Sequence, residues 1–330
     1  MKSPIAGLFF LSLFFLLSQC ENGPESGDPD PLPGDPINIQ NTNFLNALIE
    51  YGIDLNGDGL ISYSEAKSVV FLDVSERDIS DLTGIEAFHN LDTLLCKWNE
   101  LSSMDVSNIP GLLFLDCSGN SLKTLDLRKN TSLKKLFVSV NQLTLLDITN
   151  CSYLEVLDAG SIDLMDSNKL VTLDVSKNTR LTHLKCSKIQ LTSLDISNNI
   201  ELVCLDCSGN QLTSLDVKNN VALERLYCDD CQLSSLDLSS NVNLTMVNCR
   251  NNRLTDLDVS HSTALESLTS DYNNLSSLDV SNSPGLINLG VRYNPNLLQV
   301  CVWTAPFPPS GVNFYSSGCP NVYCTTECGK

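Results

Sequence analysis

Histidine and positive charge are the scarce ingredients of this 330-residue sequence. His89, His183 and His261 stand far apart, and no His-Glu-x-x-His, Gly-x-Ser-x-Gly or phosphate-loop pattern occurs. The sequence therefore gives no support to zinc-protease, serine-hydrolase or nucleotide chemistry. A carboxylate pair for glycoside hydrolysis stays open among 39 acidic residues. Such a pair needs a water-excluding pocket to raise one pKa. Only 20 Lys and Arg oppose those acids, for a net charge of -19. Nucleic acid is thereby disfavoured as a partner. Past residue 20 no segment is long and apolar enough to cross a membrane.

The first twenty residues, MKSPIAGLFFLSLFFLLSQC, place Lys2 before an apolar run that ends near Cys20. Residues 1–19 read as a secretory signal peptide, too short and wrongly flanked for a spanning helix. LSQC resembles the lipobox of bacterial lipoproteins, which implies lipidation at Cys20; Gln19 departs from the small residue usual there. An ordinary secretory signal is the alternative. Residues 20–36 follow as a Pro-, Gly- and acid-rich linker expected to be disordered. Acidic stretches in that place resemble those of surface-exported lipoproteins of the Bacteroides group. The resemblance implies an outer-membrane or cell-surface location through a lipid anchor.

Residues 54–65, DLNGDGLISYSE, have the spacing of an EF-hand calcium loop. Asp54, Asn56, Asp58, Ser62 and Glu65 supply side-chain oxygens at alternating positions, and Leu60 offers its carbonyl. Gly59 permits the sharp bend, and Ile61 is expected to pack inward. Phe44, Leu45, Leu48 and Ile49 lie at helical spacing behind Asn41 or Thr42 as cap. A metal-free Asp/Asn/Gly turn is the alternative. The sequence contains no second loop, so calcium is expected to fasten a cap over residues 37–68 and not to switch. DLNGDGLI also resembles the calcium segment of dockerins, which carry two such segments.

Leu91, Leu112, Leu133, Leu154, Leu181, Leu202, Leu223, Leu244, Leu265 and Leu286 open segments at a 21-residue period, broken by one 27-residue interval. A degenerate unit from Val69 to Asn90 precedes them, and an insertion around Met165 is expected to bulge out. The form LxxLxCxxNxL–xxLDVSxNxx resembles the cysteine-ladder leucine-rich repeats of internalin J and of many Bacteroides-group surface proteins. The resemblance covers residues 69–300 and implies an α/β-type repeat: a curved solenoid of short parallel strands with a small helical EF-hand cap. Eleven turns at ~4.8 Å imply a stack on the order of 50 Å long.

Each column has its own task. Leucines at repeat positions 1, 4 and 11 fill the interior, because no single turn buries its own apolar face. Cys96, Cys117, Cys186, Cys207, Cys228 and Cys249 at position 6 point inward as thiols, since zinc ligands must converge and a column does not. Asn99, Asn120, Asn141, Asn210, Asn252, Asn273 and Asn294 at position 9 are expected to form a ladder broken at Ile162, Ile189 and Cys231. The column Asp105, Asp126, Asp147, Asp174, Asp195, Asp216, Asp237, Asp258 and Asp279 reads as structural capping, with weak calcium adsorption as the sharper alternative. Residues 301–330 contain no leucine but hold Cys301, Cys319, Cys324 and Cys328, read as one or two disulfides in a C-terminal cap, or a zinc site.

Alternation turns positions 3, 5 and 7 outward, and these vary from turn to turn. Phe114 and Phe137, with His183, Arg225, Tyr227, Met246 and Arg250, are the anchor types found at interfaces. The expected function is non-catalytic recognition of a protein or glycan by a surface-anchored monomer, with calcium as stabilising ion. A structural surface protein without a defined ligand is the competing reading.

Overall fold

The structure is a computed structural model that describes residues 32–161 and 168–328. The expected signal peptide, the lipidation site Cys20, most of the linker, Ile162 and the insertion around Met165 lie outside the described residues. All elements below belong to the unit Pro33–Lys330.

Three-residue strands repeat once per turn. They run β1 (Phe71–Asp73), β2 (Thr93–Leu95), β3 (Phe114–Asp116), β4 (Lys135–Phe137), β5 (Val156–Asp158), β6 (His183–Lys185), β7 (Cys204–Asp206), β8 (Arg225–Tyr227), β9 (Met246–Asn248) and β10 (Ser267–Thr269). β12 (Asn288–Gly290) and β14 (Asn313–Tyr315) complete a twelve-stranded parallel sheet. The register places Leu94, Leu115, Leu136, Leu157, Leu184, Leu205 and Leu226 in one line across consecutive strands. Each is wholly buried. Covering a leucine this way is worth roughly 1.5–3 kcal/mol, but only once the next turn is present. The result is a parallel-strand solenoid of about twelve turns, as the periodicity predicts.

The stack runs on past residue 300. β11 (Ser277–Asp279), β13 (Gln299–Cys301) and β15 (Tyr323–Thr325) form a second parallel sheet beside the last turns. Strand pairing therefore continues through the leucine-free segment, with Phe314 aligned to Leu289 and Cys324 to Val300. Cys301 and Cys328 are joined as a disulfide, with Cα atoms 5.4 Å apart. Cys319 instead donates its thiol to the Val291 carbonyl at 2.9 Å, and Cys324 is half-buried and unpaired as a disulfide.

Two helices close the other end. Asn41 caps α1 (Thr42–Glu50), accepting the Phe44 N–H at 2.9 Å. Ser62 and Glu65 form a reciprocal capping box at α2 (Tyr63–Lys67). Phe44, Leu48 and Ile61 share one buried cluster with Leu72, Ile79, Ile85 and Phe88 of the first turns. Asn43 Nδ2 donates to the Asp78 carbonyl, Asn90 Nδ2 to that of Lys67, and Arg77 pairs with Glu50.

The position-6 thiols of Cys96, Cys117, Cys186, Cys207, Cys228 and Cys249 are fully buried. Burial pushes the Cys249 thiol up to about 12, so it stays protonated. The asparagine ladder joins adjacent turns. Asn120 donates to the carbonyls of Cys96 and Cys117 and accepts the Leu101 N–H, all at 3.0–3.1 Å. Two details differ from the expected ladder. After the insertion Asn168 occupies the rung, donating to Val138 and Ala159 and accepting the Leu143 N–H, so the register is counted back from the following turn. Cys231, expected as a break, points its thiol at the Cys207 carbonyl, 3.5 Å away.

A second, unpredicted ladder runs along the opposite half-repeat. Asn130, Asn178, Asn199, Asn220 and Asn241 are fully buried. Asn220 donates to the carbonyls of Ile196 and Asn199, and Asn241 to those of Val217 and Asn220. Beside it, Asp105, Asp195 and Asp237 each accept the backbone N–H two residues on, at 2.8–3.0 Å. That is the turn-capping geometry expected of the aspartate column.

Candidate ligand-binding face

The strand face is built from the two outward residues of each strand, with a buried leucine or valine holding the backbone between them. Phe114 and Phe137 meet on adjacent strands, ring centroids 5.4 Å apart and tilted by 46°. Lys135 lies over the Phe114 ring at 5.9 Å. Register carries His183, Cys204, Arg225 and Met246 along one line of β6 to β9. The Tyr227 hydroxyl is 2.9 Å from Met246 Sδ. Arg250 leaves this group, its guanidinium lying 4.9 Å from the centre of the Tyr272 ring. The face thus holds an aromatic pair and a separate arginine–tyrosine–methionine group.

Along the carboxyl ends of β2 to β7 lies a shallow trough of about 360 Å³. Asp116, Asp158 and Asp206 project on alternate turns, Lys97 and Lys185 stand among them, and Trp98 is at the rim. Its floor is lowered by small residues: a methyl on Gly160 would lie 2.8 Å from Ser187 Oγ. Asp206 takes the Ser208 hydroxyl at 2.6 Å, which fixes its carboxylate. Burial raises the Asp158 pKa above the ordinary carboxylate range, partly offset by Lys185. Farther along, burial brings Asp229 up to about 6, with Asp230 and Asp206 adding to the rise. His183 is held below the usual imidazole value by burial, then by Arg225 and Lys185. The face is therefore one of alternating sign with neutral imidazole near pH 7, suited to hydrogen bonding more than to proton transfer.

The trough acids were not singled out from sequence, although aspartate at position 5 on every second turn was there to see. Cys204 faces outward by register yet is only 6% exposed, and burial raises its thiol pKa, so it is no ready nucleophile.

The loop at residues 54–65 has donors suited to a hard cation: three carboxylates, an amide, a hydroxyl and a carbonyl. Gly59 has φ of 80° and Ile61 is buried, as the loop pattern requires. Its oxygens serve the loop's own donors. Asp54 accepts the N–H groups of Gly57 and Gly59, Asp58 that of Leu60, and Glu65 those of Leu55 and Ser62. The Ser62 N–H is the main cause of Glu65's lowered pKa. Among the described residues, the trio of ligand-type side chains within 4.8 Å of one another is Asp279, Cys301 and Cys328, two of them in the disulfide. Asp54, Asp58 and Glu65 would have to turn inward to share an ion.

No protein-family model matches the chain, and no curated protein matches it. Solved structures do. The functional domain of InlJ from Listeria monocytogenes, which includes a cysteine ladder, is 32% identical with a TM-score of 0.68, over 80% of this chain and 56% of that one. The chain thus spans little more than half of that protein. An internalin (inlF) from the same species is 18% identical, TM-score 0.62, over 91% of this chain and 99% of that one. The leucine-rich-repeat ectodomain of the receptor kinase GASSHO1/SCHENGEN3 from Arabidopsis thaliana is 21% identical, TM-score 0.65, over 80% and 36%. The last two bear on the fold alone. The chain is a leucine-rich-repeat solenoid, structurally homologous to the cysteine-ladder domain of InlJ.

Proposed function

We propose that this chain is a non-catalytic surface protein that recognises a protein or glycan through its strand face. One observation carries the reading: the columns that build the turn repeat, whereas the outward strand positions change from turn to turn. What every turn needs is kept, so the free positions are where selection can write a specificity. The similar plant ectodomain was solved in complex with a partner factor, an instance of a solenoid of this kind holding another molecule. Anchoring by a lipid on Cys20 would present the stack outward from a bacterial surface. Among the described residues no helix is long and apolar enough to cross a membrane.

A screen of glycans and host-type proteins against residues 36 to 328 tests the reading. Binding should fall more than tenfold on Arg225→Glu, which reverses an exposed charge on this face, and persist on Asp195→Asn in the aspartate column. Equal losses from both variants would remove the strand face from the account.

Calcium at Asp54, Asn56, Asp58, Leu60, Ser62 and Glu65 is proposed as a fastener of the helical cap. When bound, the ion supplies cross-linking of the loop to α2, and its stabilisation follows mass action because the site exists only when folded. Melting with calcium and with chelator should give different midpoints; coincident curves would show that the loop closes through its own amides.

A further inference from the structure

A second concavity shares Trp98 and Val140 with the trough and lies along the loops that follow β2 to β5. It holds about 630 Å³, within the range of small-molecule sites. Ser121, Gln142 and Lys169 stand one on each of three consecutive turns, and Lys123, Thr124 and Thr144 complete the polar wall. Trp98 adds a flat apolar surface. One side of its indole rests on Gly119, which holds the ring in place, yet the residue is 46% exposed.

The chemistry of this lining is unusual for the chain. It contains no Asp or Glu, although the sequence has 39 acids against 20 Lys and Arg. Lys123 and Lys169 are exposed and form no ion pair among the described residues. The side chains of Ser121, Thr124, Gln142 and Thr144 likewise make no hydrogen bond among the described residues, whereas Thr149 and Ser208 donate their hydroxyls to Asp147 and Asp206 at 2.6 Å. The backbone is not available. The N–H groups of Ser121, Gln142 and Lys169 donate to the carbonyls of Leu101, Leu122 and Leu143, and β2, β3 and β4 each have a neighbour on both edges. A peptide that binds by main-chain pairing therefore finds no partner here, and the net charge of -19 disfavours nucleic acid. A sugar needs neither. The C–H face of a pyranose covers an aromatic ring, its hydroxyls pair with amides and hydroxyls, and a carboxylate on it suits unpaired ammonium groups.

We propose that this concavity binds a saccharide bearing a carboxylate, with a pyranose ring stacked on Trp98, its hydroxyls paired with Ser121, Gln142 and Thr144, and its acid group held by Lys123 and Lys169. The site goes beyond the strand-face reading and does not rest on it. Asp116 and Asp158 of the adjoining trough repel an anion, so the acid group lies toward the lysines. Both ammonium groups act in contact with water, and the binding therefore weakens as salt rises.

Calorimetric titration of the purified chain with trigalacturonate, a hyaluronan tetrasaccharide and sialyllactose tests this, with maltotriose and lactose as neutral sugars and citrate as a carboxylate without a ring. At least one acidic sugar should bind about tenfold more tightly than every comparator, and weaken by roughly threefold or more between 0.05 and 0.5 M salt. Tryptophan emission gives a second readout, because Trp98 and Trp303 are the two tryptophans and Trp303→Phe leaves Trp98 as the sole reporter. Lys123→Gln and Lys169→Gln should each weaken binding about fivefold with the thermal midpoint unchanged, and Trp98→Ala should abolish it. Lys177→Gln, at an exposed position in the opposite half-repeat, and Arg225→Glu on the strand face should leave it intact. No binding of any acidic sugar, equal binding of the neutral ones, or indifference to both Lys123→Gln and Lys169→Gln in folded variants would each overturn the proposal. Loss on Arg225→Glu alone would do so too, by placing the sugar on the strand face.

Discussion

The indole of Trp98 lies against the bare Cα of Gly119 in the next turn. A methyl group on Gly119 would sit 2.4 Å from Trp98 Cε3, and Gly119 has φ of +66°. The same exchange recurs where Lys188 meets Gly209 and where Tyr293 meets Gly318. In these three places a long side chain on one turn is matched by a glycine on the next. Gly119→Ala should cost about 2–4 kcal/mol, from left-handed strain plus overpacking. In Gly119→Ala combined with Trp98→Ala the overpacking part should vanish and the strain remain. Urea titrations of the double-mutant cycle measure the coupling; additive losses would show that the two residues do not compete for space.

The buried ladders bear weight unequally. Asn220→Ala removes the donors serving the Ile196 and Asn199 carbonyls. Its own Oδ1 is buried without a partner, so the substitution also removes one unsatisfied acceptor. The expected loss is about 1–3 kcal/mol in a thermal or urea melt.

Cys231→Asn should act in the opposite direction. The thiol makes a single long contact to Cys207 O, whereas Asn210 one turn earlier makes two bonds at 2.8 Å to the equivalent carbonyls. A gain of about 1 kcal/mol is expected from the completed rung. A loss would mean that the turn cannot accommodate the larger amide.

Asp229 gives the solenoid a pH signature near neutrality. Its folded pKa of about 6 exceeds the ordinary carboxylate value because of burial. The folded state therefore holds this proton longer than the unfolded chain, and stability declines as pH rises from about 4 to about 6. Asp229→Asn, which can keep the contact to Asn248, should stabilise by about 1 kcal/mol above pH 7 once the shift is discounted for solvent screening. Below pH 4 it should have little effect. Melting midpoints of both proteins across pH 3.5–8 provide the comparison.

The aspartate column has the reverse sign. Asp147, Asp174, Asp195, Asp237 and Asp258 are lowered by neighbouring Ser or Thr hydroxyls and by the backbone N–H two residues on. Asp126 is brought to about 2 by Arg128. Their contribution is complete above the unfolded pKa near 4 and is lost as pH falls through the folded values. Acid unfolding should therefore steepen below about pH 4. Asp195→Ala should soften that transition and lower the midpoint at pH 7, while Asp195→Asn, which keeps the acceptor, should lower it less.

The composition of the strand face is legible in the sequence. The outward positions follow from alternation, so Phe114, Phe137, His183, Arg225, Tyr227 and Met246 could be placed on one face by counting. Their grouping could not. Arg250 turned to Tyr272, which counting had ignored, and the trough emerged only where Gly160 and its serine neighbours lower the floor between Asp116, Asp158 and Asp206. The second asparagine ladder is legible as a column, but its burial and its bonds to the preceding turns arise only when the turns stack.

The sequence by itself determined the period, the inward columns of leucine and thiol, and the expectation that each turn leans on the next. These are local rules repeated, and burial enforces them residue by residue. Only the tertiary structure decided which partners lie across neighbouring turns. Asn168 on the rung after the insertion, Trp98 over Gly119, and Cys301 with Cys328 all depend on residues some twenty positions or more apart meeting once the coil has closed. Such meetings are set by the pitch and register of the closed backbone, which no single repeat contains.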